Sequence, residues 1–157
     1  YDEHKVNKAL QILPTIMIES VNANRDIYKS QMNAVEILRQ LSLREDINCG
    51  LLTGNIHDNI DIKLGNADRN FLQYFIRLSV SDEYIGGFGS DHELRTELIP
   101  FAKQRYAQYL KVDETEFDNR TDFIVIGDTP RDIECAHCHN VPAIGIATGH
   151  FSLKELE

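Results

Sequence analysis

A chain of 157 residues, 42% of them hydrophobic, suits one domain or one domain with an appendage, and it needs no disulfide or metal staple to build a core. Its 25 acids against 16 lysines and arginines leave a net charge of −9, which argues against nucleic acid or an anionic membrane surface as partner. A small anionic ligand stays open, because surface charge is screened beyond about 8 Å and the local site decides.

No apolar run approaches the ~20 residues of a membrane span, and no signal peptide is visible. The three cysteines, Cys49, Cys135 and Cys138, have no framework spacing, so a reducing, cytoplasmic setting is expected. In chain order, residues 4–20 read as a helix with Leu10, Leu13, Met17 and Ile18 on one face, and Pro14 predicts a kink or break in it. A second helix is expected over 29–42, with Ser30 as cap and Met32, Val35, Leu38 and Leu41 as its buried stripe. "INCGLLTGN" (47–55) has the short apolar run of a buried parallel strand, closed by a turn. Residues 56–64 look helical, and 65–81 fit helix or strand equally. "EYIGGFGSD" (83–91) is a strand entering a glycine-rich loop, and 93–110 is a helix apart from Pro100. "DFIVIGDT" (122–129) is a strongly apolar strand; a helix over 130–139 and the strand "PAIGIATG" (142–149) follow. Ser152 and Glu155 form a capping box at the start of a last helix.

This alternation implies an α/β fold, a Rossmann-like, mostly parallel sheet with flanking helices, whose function sits at the carboxyl ends of the strands. Three of those ends are polar: Thr53-Gly54-Asn55, Ser90-Asp91-His92 and Gly127-Asp128-Thr129. Asp128 directly follows its strand, with Thr129 placed as N-cap, Pro130 at the first helical position and Asp132 at the third. Asp128 and Asp132 can therefore converge, and carboxylate oxygens are the hard ligands Mg²⁺ prefers. The bland reading has one acid capping the helix and the other turning the chain. The Thr53 hydroxyl and the backbone N–H groups of Gly54 and Asn55 suit a phosphoryl oxygen, or make an ordinary cap and turn. Arg95 offers a cation for phosphate, or is a solvated arginine near Glu93 and Glu97.

Taken in order, "GLLTGN", "FGSDHELR" and "VIGDTPRDI" resemble the second, third and fourth motifs of the haloacid dehalogenase (HAD) superfamily, with phosphoglycolate-phosphatase-like members most similar. "IGIATG" is similar to the strand that follows, and the resemblance runs from about residue 30 to 157. It implies a Mg²⁺-dependent phosphatase acting on a small phosphorylated metabolite through an aspartyl-phosphate. In that scheme Thr53, Gly54 and Asn55 hold phosphoryl oxygens, Arg95 takes the place usually given to lysine, Asp128 is a Mg²⁺ ligand and Asp132 supports the metal. It also implies that residues 1–28 are the end of a helical cap and 29–157 the α/β core. The first motif of the family, D-x-D-x-T, which carries the nucleophile, occurs nowhere in the chain. The nucleophile is therefore expected upstream of Tyr1, in a longer parent, and the 157 residues alone are expected to be inactive. A catalytically inactive HAD-like fragment is the alternative.

One segment competes with this reading. Cys135-Ala136-His137-Cys138-His139 spells the C-x-x-C-H pattern of covalent haem attachment. Asn140 and Pro142 close the helix beyond it, so Cys135, Cys138 and His139 share a face near the helix C-terminus. A parallel α/β pattern is the wrong architecture for haem, zinc lacks a fourth ligand, and redox thiols sit at the opposite helix end. Helix packing and surface are the expected roles of the cluster.

Overall fold

The computed structural model describes residues 2–24, 30–31, 33–67 and 70–157, and the chain divides into two compact units. The expected boundary at residues 28 and 29 lies outside the described residues.

The first unit comprises Tyr1–Cys49 and Asn55–Phe75. Its long helix α1 (Glu3–Ala23) starts at Asp2, whose carboxylate accepts from the Lys5 N–H at 3.4 Å. The helix runs through Pro14 without ending. A proline deletes one main-chain bond, and the remaining bonds of a 21-residue helix carry the element past it. Leu10, Leu13 and Ile18 are exposed, contrary to the expected stripe. Met17 of that stripe is half-buried, as is Ser20, and Val21 alone of the described α1 side chains is fully buried; α1 packs on α3. Helix α2 (Ala34–Ser42) begins after Asn33, not at Ser30. Asn33 has φ 67°, a left-handed conformation that asparagine tolerates and that interrupts a helix. Val35, Leu38 and Leu41 are half-buried as the periodicity predicts, and Met32 lies outside the described residues. A 3₁₀ turn at His57–Asn59 leads into α3 (Ile60–Ala67), and the ambiguous stretch beyond it contains a second turn, Leu72–Tyr74.

The second unit comprises Gly50–Gly54 and Ile76–Glu157. It holds β1 (Leu51–Thr53), β2 (Gly86–Phe88), α4 (Leu98–Leu110), β3 (Val125–Gly127), α5 (Pro130–Cys138), β4 (Ala143–Gly145) and α6 (Leu153–Leu156). The strands are parallel, as expected, but they form two separate pairs, β1 with β2 and β3 with β4. In a parallel ladder one residue's N–H and C=O point to the same side. Leu51 N–H donates to the Ile85 carbonyl and Val125 N–H to the Pro142 carbonyl. Leu52 and Ile126, the next residues along, therefore turn their main-chain groups away from β2 and β4.

Both pairs rest on the same apolar layer. Ile99 of α4 and Cys135, Ala136 and Val141 in and after α5 form a buried cluster, against which Leu52, Phe123, Val125 and Ala143 pack. The alternate residues Ile124, Ile126 and Ile144 are exposed, Ile126 by 48%, so these strands are not covered on both faces as their apolar sequence suggests. Pro100 is the third residue of α4, where a missing N–H costs no helical bond, so α4 starts at Leu98 after a 3₁₀ turn at Arg95–Glu97. Helix α5 ends at Asn140 (φ 56°), the left-handed residue the sequence predicts. The Ser152–Glu155 capping box is present, with the Ser152 hydroxyl donating to the Glu155 carboxylate at 2.7 Å. Among the described residues no helix is long and apolar enough to cross a membrane.

Candidate functional site

Thr53 and Gly54 end β1, Arg95 opens the turn before α4, and Asp128 and Asp132 follow β3. All five belong to the second unit. Arg95 links them. Its Nη2 donates to Asp132 Oδ1, and its Nη1 lies beside Gly54, where an added β-carbon would meet it at 3.3 Å. The Arg95 side chain is 30% exposed, while its Nε is buried without a partner among the described residues.

Asp132 is buried, 6% exposed, and both of its oxygens are engaged. Oδ1 receives Arg95; Oδ2 accepts from the Thr129 N–H at 3.1 Å and the Thr129 hydroxyl at 2.8 Å. A lone carboxylate at this depth would be costly, and the guanidinium and the cap together compensate it. Gly127 makes the approach possible, because a β-carbon there would collide with the Asp132 side chain. Asp128 is half-buried, and its carboxylate lies against Gly149, whose β-carbon, if present, would sit 2.6 Å from Oδ2. Among the described residues it makes no hydrogen bond or ion pair.

Asn55 directly follows Gly54 in the chain. It falls in the first unit, where its Oδ1 accepts from Lys63 Nζ at 3.3 Å. The predicted Thr53-Gly54-Asn55 set thus runs across the boundary between the two units.

Asp91, at the second polar strand end, has a different task. It accepts a two-pronged hydrogen bond from Arg105 of α4, at 2.6 and 2.8 Å, and the Phe88 N–H at 2.8 Å. Arg105 also donates to the Gly86 carbonyl at 2.8 Å. The turn after β2 is thereby fastened to α4, and Gly89 in that turn packs so closely on the Gly54 carbonyl that only glycine fits.

Cys135 and His139 also contact the Arg95 turn. The Cys135 thiol donates to the Arg95 carbonyl at 3.0 Å, and His139 Nε2 lies 2.6 Å from the Thr96 carbonyl. A carbonyl has no proton to give, so His139 carries the proton on Nε2. Burial pushes the Cys135 thiol up to about 11. Cys138, by contrast, is exposed. Among the described residues no three His, Cys, Asp or Glu side chains are grouped to hold a metal ion. The sequence places Cys135 and His139 on one helix face but does not say what that face meets. Pro100 was the available signal, since it cannot donate to the Thr96 carbonyl four residues before it.

A family model described as HAD-hydrolase-like matches residues 96–157. The match covers β3, Asp128, Asp132 and α5, and stops one residue short of Arg95. No curated protein matches the chain. The matched segment supports a hydrolase of the HAD type, on a mixed α/β scaffold of small parallel sheets and helices.

Proposed function

We propose that this chain carries the phosphate-binding part of a Mg²⁺-dependent phosphatase acting on a small phosphomonoester of the phosphoglycolate class, in a reducing cytoplasm. One observation carries the reading: a single arginine joins Gly54, at the end of β1, to Asp132, the second of the two acids that follow β3. A phosphoryl group placed beside Thr53 and Gly54 meets a hydroxyl, main-chain N–H groups and the edge of the Arg95 guanidinium. Positioning and charge neutralisation are what phosphoryl transfer asks of a protein.

The donor set fits Mg²⁺ through Asp128, a hard oxygen ligand without a side-chain hydrogen bond among the described residues, since Mg²⁺ typically takes one or two carboxylates and keeps water and phosphate for its other positions. Bound there, the ion would neutralise phosphoryl charge. Asp132, engaged by Arg95 and Thr129, supports the site by fixing the cation and the start of α5. The attacking carboxylate is assigned to a segment outside these 157 residues, because no D-x-D-x-T occurs within them. The outward-turned main-chain groups of Leu52 and Ile126 agree with a further strand beside β1 and β3. Under this reading α1 closes a helical cap that selects the substrate.

Calorimetric titration of orthophosphate in the presence of Mg²⁺ tests the site. Arg95→Ala is expected to weaken binding about ten- to a hundredfold, the worth of a charge-assisted hydrogen bond. Equal binding by wild type and Arg95→Ala overturns the assignment. Hydrolysis of p-nitrophenyl phosphate by the 157-residue chain would overturn the placement of the nucleophile.

A further inference from the structure

The C-x-x-C-H segment has no part in the scheme above, yet two of its side chains meet the carbonyls of two successive residues, Arg95 and Thr96. Asp132, Cys135 and His139 are spaced i, i+3 and i+7, which places them within one narrow arc of α5 and its C-terminal residue. Asp132 takes the Arg95 guanidinium, Cys135 the Arg95 carbonyl and His139 the Thr96 carbonyl. The same strip of helix therefore grips Arg95 at both its side-chain head and its main-chain root.

The sequence explains why such a grip is needed. Main-chain helix bonds run from an N–H to the carbonyl four residues earlier. The residue four after Thr96 is Pro100, which has no N–H. The Thr96 carbonyl cannot be drawn into α4 by that route, and His139 supplies a donor at 2.6 Å. The Arg95 carbonyl receives the Leu98 N–H that closes the 3₁₀ turn and also the Cys135 thiol. Two neighbouring carbonyls held from one helix fix the two peptide planes that meet at the Thr96 Cα; the first of these joins Arg95 to Thr96, so the direction in which the Arg95 side chain leaves the backbone is constrained with it.

We propose that Cys135 and His139 are positioning residues for Arg95: they clamp the turn that bears it, so that its guanidinium stays between Gly54 and Asp132. The functional value of the clamp rests on the reading of Arg95 as the phosphate-binding cation. The clamp also accounts for a cysteine–histidine cluster without invoking haem or zinc.

NMR of the uniformly ¹⁵N-labelled 157-residue chain separates the two claims. The Arg95 Nε–H, which is buried, is expected to give a resolved, slowly exchanging signal, assigned by its loss in Arg95→Lys. His139→Leu should abolish that signal by broadening or fast exchange, while His139→Gln, whose amide N–H can still reach the Thr96 carbonyl, should restore it. Cys135→Ala provides a second route should His139→Leu fail to fold, and the same weakening is expected. Loss of the signal in the clamp variants, with amides outside 94–100 and 130–141 unchanged, is the supporting result. An Arg95 signal undisturbed in His139→Leu and Cys135→Ala, even with a lowered melting temperature, would make both residues mere packing and overturn the clamp. Orthophosphate added to the wild-type chain then tests the underlying reading by itself: an Arg95 signal that depends on His139 but ignores phosphate upholds the clamp and rejects the phosphate site.

Discussion

Asp132 is the one buried acid among the described residues, and its removal should show what its partners are worth. Asp132→Ala leaves the Arg95 guanidinium without its counter-charge and unfastens Thr129 at the start of α5. Breaking a fully buried pair costs about 3–5 kcal/mol. Arg95 keeps 30% exposure, so water recovers part of that loss, and roughly 2–4 kcal/mol is expected in urea unfolding, the lost cap included. Cys135 gives a second test, of pH. Its thiol is lifted from 9.0 to about 11, first by burial, with Arg95 opposing the rise. A thiol held high in the folded state contributes its full stabilisation while folded and unfolded forms are both protonated, below about pH 8.5. Above that the unfolded thiol ionises first, and the contribution is lost as pH climbs toward about 11. Cys135→Ala should therefore flatten the alkaline fall in stability seen by denaturant titration. At pH 8, iodoacetamide should label exposed Cys138 before Cys135, as read by peptide mass spectrometry. Equal labelling rates would mean that the Cys135 side of α5 opens freely.

Elements in this chain are set by local chemistry where a special residue speaks, and by tertiary contact elsewhere. The start and end of α5 were legible because Thr129, Pro130 and Asn140 each have one strongly preferred place around a helix. The start of α2 was not, since Ser30 and Asn33 both suit a cap and only the left-handed turn at Asn33 decides between them. Pro14 misled in the opposite direction: its penalty is real, but a penalty is not a stop signal when the helix on both sides has good formers. That penalty predicts a gain. Pro14→Ala should raise helical content and stability, by up to about 3 kcal/mol if α1 is otherwise unstrained. Circular dichroism and thermal unfolding read this directly, and a loss of stability would mean that the proline shapes a contact of α1. The site was legible to a similar degree. Arg95 and Asp132 stand at strand-linked positions in the sequence, but the bond between them spans 37 residues and needs the fold. The unit boundary between Gly54 and Asn55, by contrast, is announced by no local pattern.

At the scale of the whole molecule, the strand pairs of the second unit pose the main physical question. The continuous apolar run in "DFIVIGDT" predicts a strand covered on both faces, yet Ile124, Ile126 and Ile144 are exposed and, among the described residues, the ladder stops at two strands. Parallel sheets are normally wide and buried, because a two-stranded one leaves half of its main-chain groups unpaired. The sequence could not show this, since a strand's apolar pattern is the same whether one neighbour is present or two. The high negative charge opposes the edge-to-edge association such strands invite. Hydrogen exchange distinguishes the possibilities residue by residue. The Thr53 and Gly127 amides face their partner strands, whereas those of Leu52 and Ile126 face away. Alternating protection is therefore expected, slow at 53 and 127 and fast at 52 and 126, at dilute protein concentration. Because the alternation lies within three consecutive residues, global unfolding cannot mimic it: an exchange route through the unfolded state would give every amide the same opening free energy. If Leu52 and Ile126 prove as slow as their neighbours, another strand already covers these edges. Protection that appears only as concentration rises would locate that strand in a second molecule.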